Sequence, residues 1–555
     1  MPPASGIKTA NSGAMPLAVH SPEPAQGSAR VARTTLHAAL YIALGAITLS
    51  PLLWVRVPPL VDYPSHLARM WILVHGAEIP ELARNYTVHW RLLPDLAMDL
   101  IVPALSTMMT VEQAGRVFVA LTMGALIGGT AALHRAIHGR VGIWPIWSVL
   151  FVYNAELFWG FPTLFATGIY LFAFSGWIAA RHWRTGPRIL AFSAVATLLC
   201  LLHLFAFGLY ALSVLSYEFG SRASLRRISL SGLIGWSAVC LQFVPGFLIC
   251  YASLPPDRIS VTTYNHFIVS KIYALFSPFV FGFVPAPAFD QLLGPLVFSF
   301  LGIAIVTRSL KLAPEMRLPI AAMVVGSLLM PRVIGGSWFA DIRLPVMLPF
   351  VIIASTRFEP SRKRVLLPIA AVALGILGVR VWTVSHAWRD YDRWFAEFRT
   401  ASAVIAPGAR LLVVQAPIPQ DKQYLPGIPE ILANLQPHSF DHMPSLAVID
   451  RAAFVPCLFT GRKTLEVTAK NRQITQLGGW GPITPEQLIE SDPEHTESIR
   501  DDFGLFVESP YWKNWPEVFD YVLWIDFGRA PKPDLKELQL LTTGSFFGIY
   551  RVVRP

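Results

Sequence analysis

LHAALYIALGAITLSPLLWV (Leu36 to Val55) is the first long apolar run of the chain, and it contains no Asp, Glu, Lys or Arg. Its length is close to the roughly 20 apolar residues that an α-helix needs to cross a bilayer. Similar runs, separated by short basic clusters, recur as far as Ser385. The pattern predicts a polytopic α-helical membrane protein with about ten to twelve spans.

The composition agrees with a membrane protein. The chain has 555 residues, of which 54% are hydrophobic and 14% charged, and its mean hydropathy is +0.49. Ordinary globular proteins carry roughly 25% charged residues, so this chain has too little polar surface to be covered by water. The net charge of +10 lies largely in clusters between apolar runs, where it orients spans. We therefore expect membrane lipids as partners and no nucleic acid.

Three parts follow one another along the chain. Residues 1–33 are rich in Ala, Ser, Pro and Gly and are predicted to form a disordered cytoplasmic tail. Residues 34–385 form the predicted multi-span membrane module, with an external loop at 56–94. Residues 386–555 lack long apolar runs and are predicted to fold as a soluble α/β domain. The four cysteines show neither a disulfide framework nor a zinc-binding spacing.

Basic clusters predict the orientation of the spans. ARHWRTGPR (180–188), TRSLKLAPEMR (307–317) and TRFEPSRKR (356–364) are expected to be cytoplasmic under the positive-inside rule. The external loop, the turns near Glu156 and His203 and the C-terminal domain then lie on the outer face. In a bacterium this is the periplasmic side of the inner membrane, with the N-terminus in the cytoplasm.

The C-terminal part shows one helical and several strand-like patterns. Residues 392–405 have helical spacing, and Pro407-Gly408 ends the helix. RLLVVQA, FDYVLWIDF and LQLLTTGSFFGIYRVV predict strands of a modest mixed sheet. Tyr511, Trp512 and Trp515 either pack as a cap over the membrane module, which we favour, or stack on sugar rings. Asp441-His442 is a metal pair only if a third ligand joins it.

The stretch after the first apolar run, PPLVDYPSHLARMW (Pro58 to Trp71), concentrates groups that can perform chemistry at a membrane surface. Asp62 is a candidate base or metal ligand, and His66 is a candidate phosphate or metal contact. On residue types alone, Asp62 more simply caps the helix that follows. Further candidates for substrate binding lie on the same predicted face: Arg69, Glu156, His266, Lys271, Asp341 and Arg343.

The arrangement of the first third of the chain resembles the membrane module of the GT-C glycosyltransferases. The D-x-P-x-H motif formed by Asp62, Pro64 and His66 lies in an external loop after one span. Ala114-Gly115-Arg116, at the start of a Gly-containing apolar run, takes the position of a short turn in protein mannosyltransferases and lipid A aminoarabinose transferases. Those enzymes usually have two consecutive acidic residues where this chain has Asp62-Tyr63. Some stretches, among them HLFAFGLY, also resemble a group of bacterial membrane proteins, which implies no function.

The resemblance implies a function for the chain. It implies transfer of a sugar from a polyprenyl-phosphate-linked donor to an envelope acceptor at the outer membrane face, with Asp62 as the catalytic carboxylate. It also implies Asp62 as a ligand of a divalent cation, Mg²⁺ or Mn²⁺. Two other classes stay open: a non-catalytic scaffold of envelope assembly, and a transporter of a lipid-linked glycan. A transporter predicts internal repeats and deep charges in several spans.

Overall fold

The structure, a computed structural model, describes most of the chain. The described residues are 24–222, 230–253, 262–264, 267–279, 287–334, 337–416, 440–460, 464–475, 481–489, 511–527 and 533–554.

Helices dominate the first four hundred or so residues of the chain, as the apolar pattern predicts. In chain order they are α1 (Pro24–Leu49), α2 (Tyr63–His75), α3 (Pro80–Asn85), α4 (Ala97–Ser106), α5 (Val111–His138), α6 (Ala155–Trp159), α7 (Thr163–Ala179), α8 (Thr185–Leu202), α9 (Leu204–Arg222), α10 (Leu230–Cys240), α11 (Val244–Ala252), α12 (Phe267–Phe276), α13 (Pro287–Val306), α14 (Arg317–Leu329), α15 (Ala340–Ser355) and α16 (Leu366–Ala401). Among the described residues of the C-terminal part, three short helices follow, α17 (Leu446–Arg451), α18 (Pro485–Ile489) and α19 (Trp515–Val518).

Strands are short and lie mostly in the C-terminal part. They are β1 (Tyr86–Val88), β2 (Thr262–Thr263), β3 (Leu310–Leu312), β4 (Val333–Ile334), β5 (Thr356–Phe358), β6 (Leu411–Gln415), β7 (Leu465–Val467), β8 (Tyr521–Ile525), β9 (Leu538–Thr543) and β10 (Phe547–Val552).

Six helical segments among the described residues are long and apolar enough to cross a membrane: 34–53, 111–138, 163–182, 185–202, 232–252 and 363–404. Four shorter apolar helices accompany them, at 97–106, 204–220, 267–279 and 292–306. The ten residues of α4 extend about 15 Å, half of the roughly 30 Å hydrocarbon thickness. The count of ten to twelve spans stays a prediction. α1 begins at Pro24 and so extends into the segment that the composition predicts to be disordered.

Glycines allow α5 and α7 to pack closely. A Cβ at Gly129 would lie 2.7 Å from the Leu171 side chain and 2.9 Å from the backbone oxygen of Gly168. A Cβ at Gly168 would in turn lie 2.7 Å from that of Ala125. Small residues of this kind let membrane helices approach each other without clashes. The GALIGG sequence of α5 therefore permits a close contact with α7, and this contact positions α7 and the turn before it.

α16 connects the last apolar span directly to the C-terminal domain. It has 36 residues, about 54 Å at 1.5 Å per residue, so it extends well past a bilayer core. The sequence suggests a span that ends near Ser385 and a separate helix at 392–405, whereas the structure joins them. Trp394, Phe395 and Phe398 are buried on one side of this helix, as their spacing predicts.

The C-terminal sheet confirms the predicted strands. Its order is β6-β8-β10-β9, with β6 parallel to β8 and the other pairs antiparallel, so the sheet is mixed. Both faces are buried: Leu411 and Val413 join the main core, while Leu412 and Val414 pack in a second core with Trp512 and Trp515. The aromatic residues Tyr511, Trp512 and Trp515 are therefore packed inside, which rules out the sugar-stacking alternative for them.

The loop at 56–94, which the sequence predicts to be external, shares a second small sheet with the C-terminal domain. Strand β1 pairs with β7 antiparallel, with Thr87 opposite Glu466. The backbone N–H of His89 donates to the Thr464 oxygen at 2.8 Å, and Asn471 Nδ2 donates to Asn85 Oδ1 at 2.8 Å. This pairing holds residues of the loop at 56–94 against the C-terminal domain. Both parts of the chain contribute residues to the candidate site.

Candidate functional site

Backbone hydrogen bonds hold Asp62 beside the α6 segment. The N–H groups of Val61 and Asp62 donate to the oxygens of Phe158 and Trp159 at 2.9 and 3.0 Å. Gly160, which follows α6 at φ +78°, makes this approach feasible, because a Cβ there would lie 3.0 Å from the Tyr63 nitrogen. The external loop and the turn that carries Glu156 therefore meet at Asp62.

Asp62 faces a histidine of the C-terminal domain. Its Oδ1 lies 3.6 Å from His442 Nε2, and the two side chains are 18% and 6% exposed. Asp62 occupies the N-cap position of α2 but makes no side-chain capping hydrogen bond, so the simple capping interpretation is wrong.

His66 lies in the same group through an aromatic ring. Phe459 lies between the two histidines, with ring centroids 5.0 Å from His66 and 4.6 Å from His442. The Phe459 N–H donates to Ser65 Oγ at 3.0 Å, which anchors this loop to α2. His66 is 8% exposed. The two histidines therefore line one wall around Asp62.

Arg343 is the buried cation of the site. It lies in the first turn of α15, is 7% exposed, and donates through Nη2 to Ser337 Oγ at 2.8 Å. Its guanidinium lies between the rings of Phe161 and Phe205, 5.5 and 5.8 Å from their centroids. This guanidinium interacts electrostatically with three carboxylates, those of Glu156, Asp95 and Asp62. We call these four residues the Arg343 cluster.

Glu156 is the most deeply buried member of the Arg343 cluster. The residue is 0% exposed, and neither carboxylate oxygen has a hydrogen-bond partner within the described part of the chain. Burial raises the pKa of Glu156 to about 7, and the charge of Arg343 counteracts part of that rise. Near neutral pH this carboxyl group therefore exists in both protonation states.

Asp95 enters the cluster from the other end of the external loop. It has a left-handed backbone conformation (φ 73°), and the next N–H, of Leu96, donates to the Leu201 oxygen at 2.9 Å. His203 Nε2 lies 3.3 Å from Asp95 Oδ1 and 2.7 Å from Thr163 Oγ1. The His203 Nδ1 accepts from the Phe205 N–H at 3.0 Å. Because Nδ1 accepts, a neutral His203 carries its proton on Nε2, toward Asp95 and Thr163.

Arg69 forms a buried ion pair. Its Nη2 lies 2.7 Å from Asp99 Oδ2, and the two side chains are 4% and 2% exposed. Such a buried ion pair between α2 and α4 neutralises its own charges. The role of Arg69 as a substrate ligand stays a prediction.

Asp341 and Lys271 interact electrostatically with each other, and neither belongs to the carboxylates that interact with Arg343. Asp341 is 0% exposed and accepts a hydrogen bond from Ser270 Oγ, while Lys271 Nζ donates to the backbone oxygens of Ser327, at 3.1 Å, and Met330. The structure therefore does not place these two side chains among the members of the Arg343 cluster. His266 lies outside the described residues.

Tyr63 does not replace a second acid at the site. Its side chain is buried against α5, where a Cβ at Gly115 would collide with the Tyr63 hydroxyl. The other carboxylates that interact with Arg343, those of Asp95 and Glu156, are distant from Asp62 in sequence. Tyr63 instead borders an apolar cleft lined by Leu60, Tyr63, Met98, Phe118, Val119, Thr122, Leu157, Gly160, Phe161 and Pro162.

In the described part of the chain, no three His, Cys, Asp or Glu side chains gather in a way that could hold a metal ion. Sequence reasoning considered His442 only as one half of a metal pair with Asp441, whereas the Asp441 carboxylate accepts a hydrogen bond from Gln415 Nε2 at 3.0 Å and His442 faces Asp62. Comparison of the chain with protein-family models, curated proteins and solved structures finds no match.

Proposed function

We propose that this chain is a membrane glycosyltransferase of the GT-C type. It would move a sugar from a polyprenyl-phosphate-linked donor to an envelope acceptor at the outer face of a bacterial inner membrane. The observation that carries the proposal is the convergence of Asp62, Asp95 and Glu156 on the buried Arg343, with His442 against Asp62. Ionisable groups that gather around one buried cation are characteristic of functional sites, and this favours an enzyme over a scaffold.

The proposed reaction assigns Asp62 as the general base. Asp62 is the more exposed partner of the Asp62–His442 pair. Its carboxylate takes the proton of the acceptor hydroxyl while that oxygen forms a bond to the anomeric carbon of the donor. The bond between the anomeric carbon and the phosphate oxygen breaks, and its electron pair leaves with the polyprenyl phosphate.

Hydrogen-bond donors stabilise the leaving phosphate in this proposal. His442, and His66 beside the same Phe459 ring, offer ring N–H groups near Asp62. Arg343 offsets part of the negative charge of the carboxylates. A Mg²⁺ or Mn²⁺ ion at Asp62 remains a prediction, in which oxygens of the donor phosphate would complete the coordination.

The apolar cleft beside Tyr63 is too small to hold a lipid chain, since its free volume of about 20 Å³ is close to that of one water molecule. In this proposal the prenyl chain of the donor lies in the surrounding bilayer, and its sugar-phosphate end lies toward Asp62.

The test measures donor turnover by the full-length protein in phospholipid vesicles. A panel of polyprenyl-phosphate sugars, radiolabelled in the sugar, is offered with an extract of envelope acceptors. We expect Asp62→Asn to reduce transfer at least 100-fold, because loss of a general base removes about 10² to 10⁴ in rate. Glu78→Gln, a change of an exposed side chain in the same loop, is the matched control and should keep full activity.

Transfer that survives in both Asp62→Asn and Asp62→Ala, with the protein still folded, would exclude the enzyme. Absence of turnover with the unaltered protein, together with binding of envelope proteins, would favour the scaffold. Passage of the intact donor across the vesicle membrane would favour the transporter instead.

A further inference from the structure

Two cysteines from different apolar helices lie against each other. Cys200 in α8 and Cys250 in α11 have their Sγ atoms 2.7 Å apart, and both are thiols in the structure. Even carbon atoms, which are smaller, keep about 3.5–4.0 Å when they are not bonded. A disulfide requires the backbones of the two cysteines, as well as their sulfur atoms, to lie close together.

The backbones of α8 and α11 approach each other closely at a glycine, one turn before Cys250. A Cβ at Gly246 would lie 3.3 Å from the Cβ of Cys200 and 2.8 Å from the ring of Phe207. The Cys200 Sγ also lies 3.3 Å from the Gly246 oxygen. The two helices are therefore in direct contact at the level of the sulfur atoms.

The pair lies near the helix ends that border the Arg343 cluster. Cys200 is two residues from the end of α8 at Leu202, and Cys250 is two residues from the end of α11 at Ala252. The Leu201 oxygen accepts from Leu96 of the external loop, and Asp95 interacts electrostatically with Cys200. These contacts put the sulfur atoms on the same side as the external loop, which the basic clusters place outside the cytoplasm.

We propose that Cys200 and Cys250 form a disulfide bond in the mature protein. The two thiols lose two protons and two electrons to a disulfide of an extracytoplasmic thiol oxidoreductase, which becomes a dithiol. The exchange passes through a mixed disulfide, and the half-buried Cys250 is the thiol that an oxidant reaches first. Disulfides persist on the outer side of a bacterial inner membrane, where the compartment is oxidising.

The bond would fasten the turn between α8 and α9, which carries His203. Because His203 contacts Asp95 and Thr163, the disulfide would hold one wall of the Arg343 cluster in place. The proposal rests on the outward placement of this face and does not depend on glycosyl transfer.

The experiment counts free thiols by mass spectrometry. Cells are lysed in denaturant with a maleimide to trap the thiol state, and half of the sample is reduced before labelling. The proposal expects two labels on Cys240 and Cys457 without reduction and four labels after reduction. A non-reducing digest should contain a cross-linked pair of peptides that carry residues 200 and 250.

Matched variants complete the test. Cys250→Ser should expose Cys200 to labelling without reduction, whereas Cys240→Ser, in the adjacent helix, should leave the Cys200–Cys250 link intact. Four labels on the unaltered protein without reduction would overturn the proposal, even if the protein proved to be a transferase. Loss of transferase activity with the link intact would leave the disulfide standing.

Discussion

At the scale of single residues, Glu156 combines complete burial with a pKa of about 7, against an ordinary value of 4.5. The rise in pKa has a consequence for stability. Between pH 4.5 and 7 the unfolded chain loses the Glu156 proton before the folded protein does. The folded protein therefore loses stability as pH rises through this window, by an amount of about 3 kcal/mol.

We predict that Glu156→Gln removes this pH dependence. The Tm of Glu156→Gln should rise relative to the Tm of the unaltered protein as the pH increases from 5 to 8. Intrinsic tryptophan fluorescence in detergent measures both melting curves. Glu78→Gln, at an exposed position, controls for the loss of one acid. A Tm difference that stays constant across the pH range would contradict the raised pKa.

Arg69 and Asp99 form a second case in which burial decides the role of a charged residue. Removal of one partner leaves an uncompensated buried charge, which typically destabilises a protein by about 3–5 kcal/mol. We predict that Arg69→Met and Asp99→Leu each lower Tm strongly, while the double variant regains most of the loss. A double-mutant cycle of melting temperatures checks this. An Arg69→Met variant with unchanged Tm but weaker donor binding would favour the role of Arg69 as a substrate ligand instead.

At the scale of elements, the sequence predicts best those segments whose pattern is local. The strands β6, β8, β9 and β10 follow from continuous apolar runs, and the helical pattern at 392–405 follows from its apolar spacing. Strands β1 and β7 are three residues each and lie far apart in the chain, so no local pattern reveals their pairing. For the same reason the contact of Asp62 with His442 could not be predicted, although both residues were considered separately.

The β1–β7 sheet should hold the external loop against the C-terminal domain. We predict that His89→Pro, which removes the N–H that donates to the Thr464 oxygen, speeds amide hydrogen exchange in residues 86–91 and 464–468 by at least tenfold. His89→Ala keeps the backbone donor and should exchange like the unaltered protein. Equal exchange in both variants would mean that the loop is held by side chains rather than by the strand pair.

At the scale of the whole molecule, the proposed site needs the external loop and the C-terminal domain on one side of the membrane. The single helix α16 begins next to the basic cluster at 362–364 and ends inside the C-terminal domain. If α16 crosses the membrane, its two ends lie on opposite sides, because the helix is far longer than the bilayer core is thick. The β1–β7 pairing then assigns the external loop to the side of the C-terminal domain.

We therefore predict opposite labelling of two engineered cysteines. Glu78→Cys lies in the external loop with an exposed side chain, and Ser361→Cys lies exposed in the basic connection before α16. In spheroplasts a membrane-impermeant maleimide should label Glu78→Cys within minutes and should label Ser361→Cys only after the membrane is permeabilised. The protein without an engineered cysteine measures the background, because Cys240 and Cys250 are half-buried whereas Cys200 and Cys457 are buried. The reverse pattern would place the Arg343 cluster in the cytoplasm, where a periplasmic acceptor cannot reach it. Labelling of both cysteines in intact spheroplasts would mean that α16 does not cross the membrane.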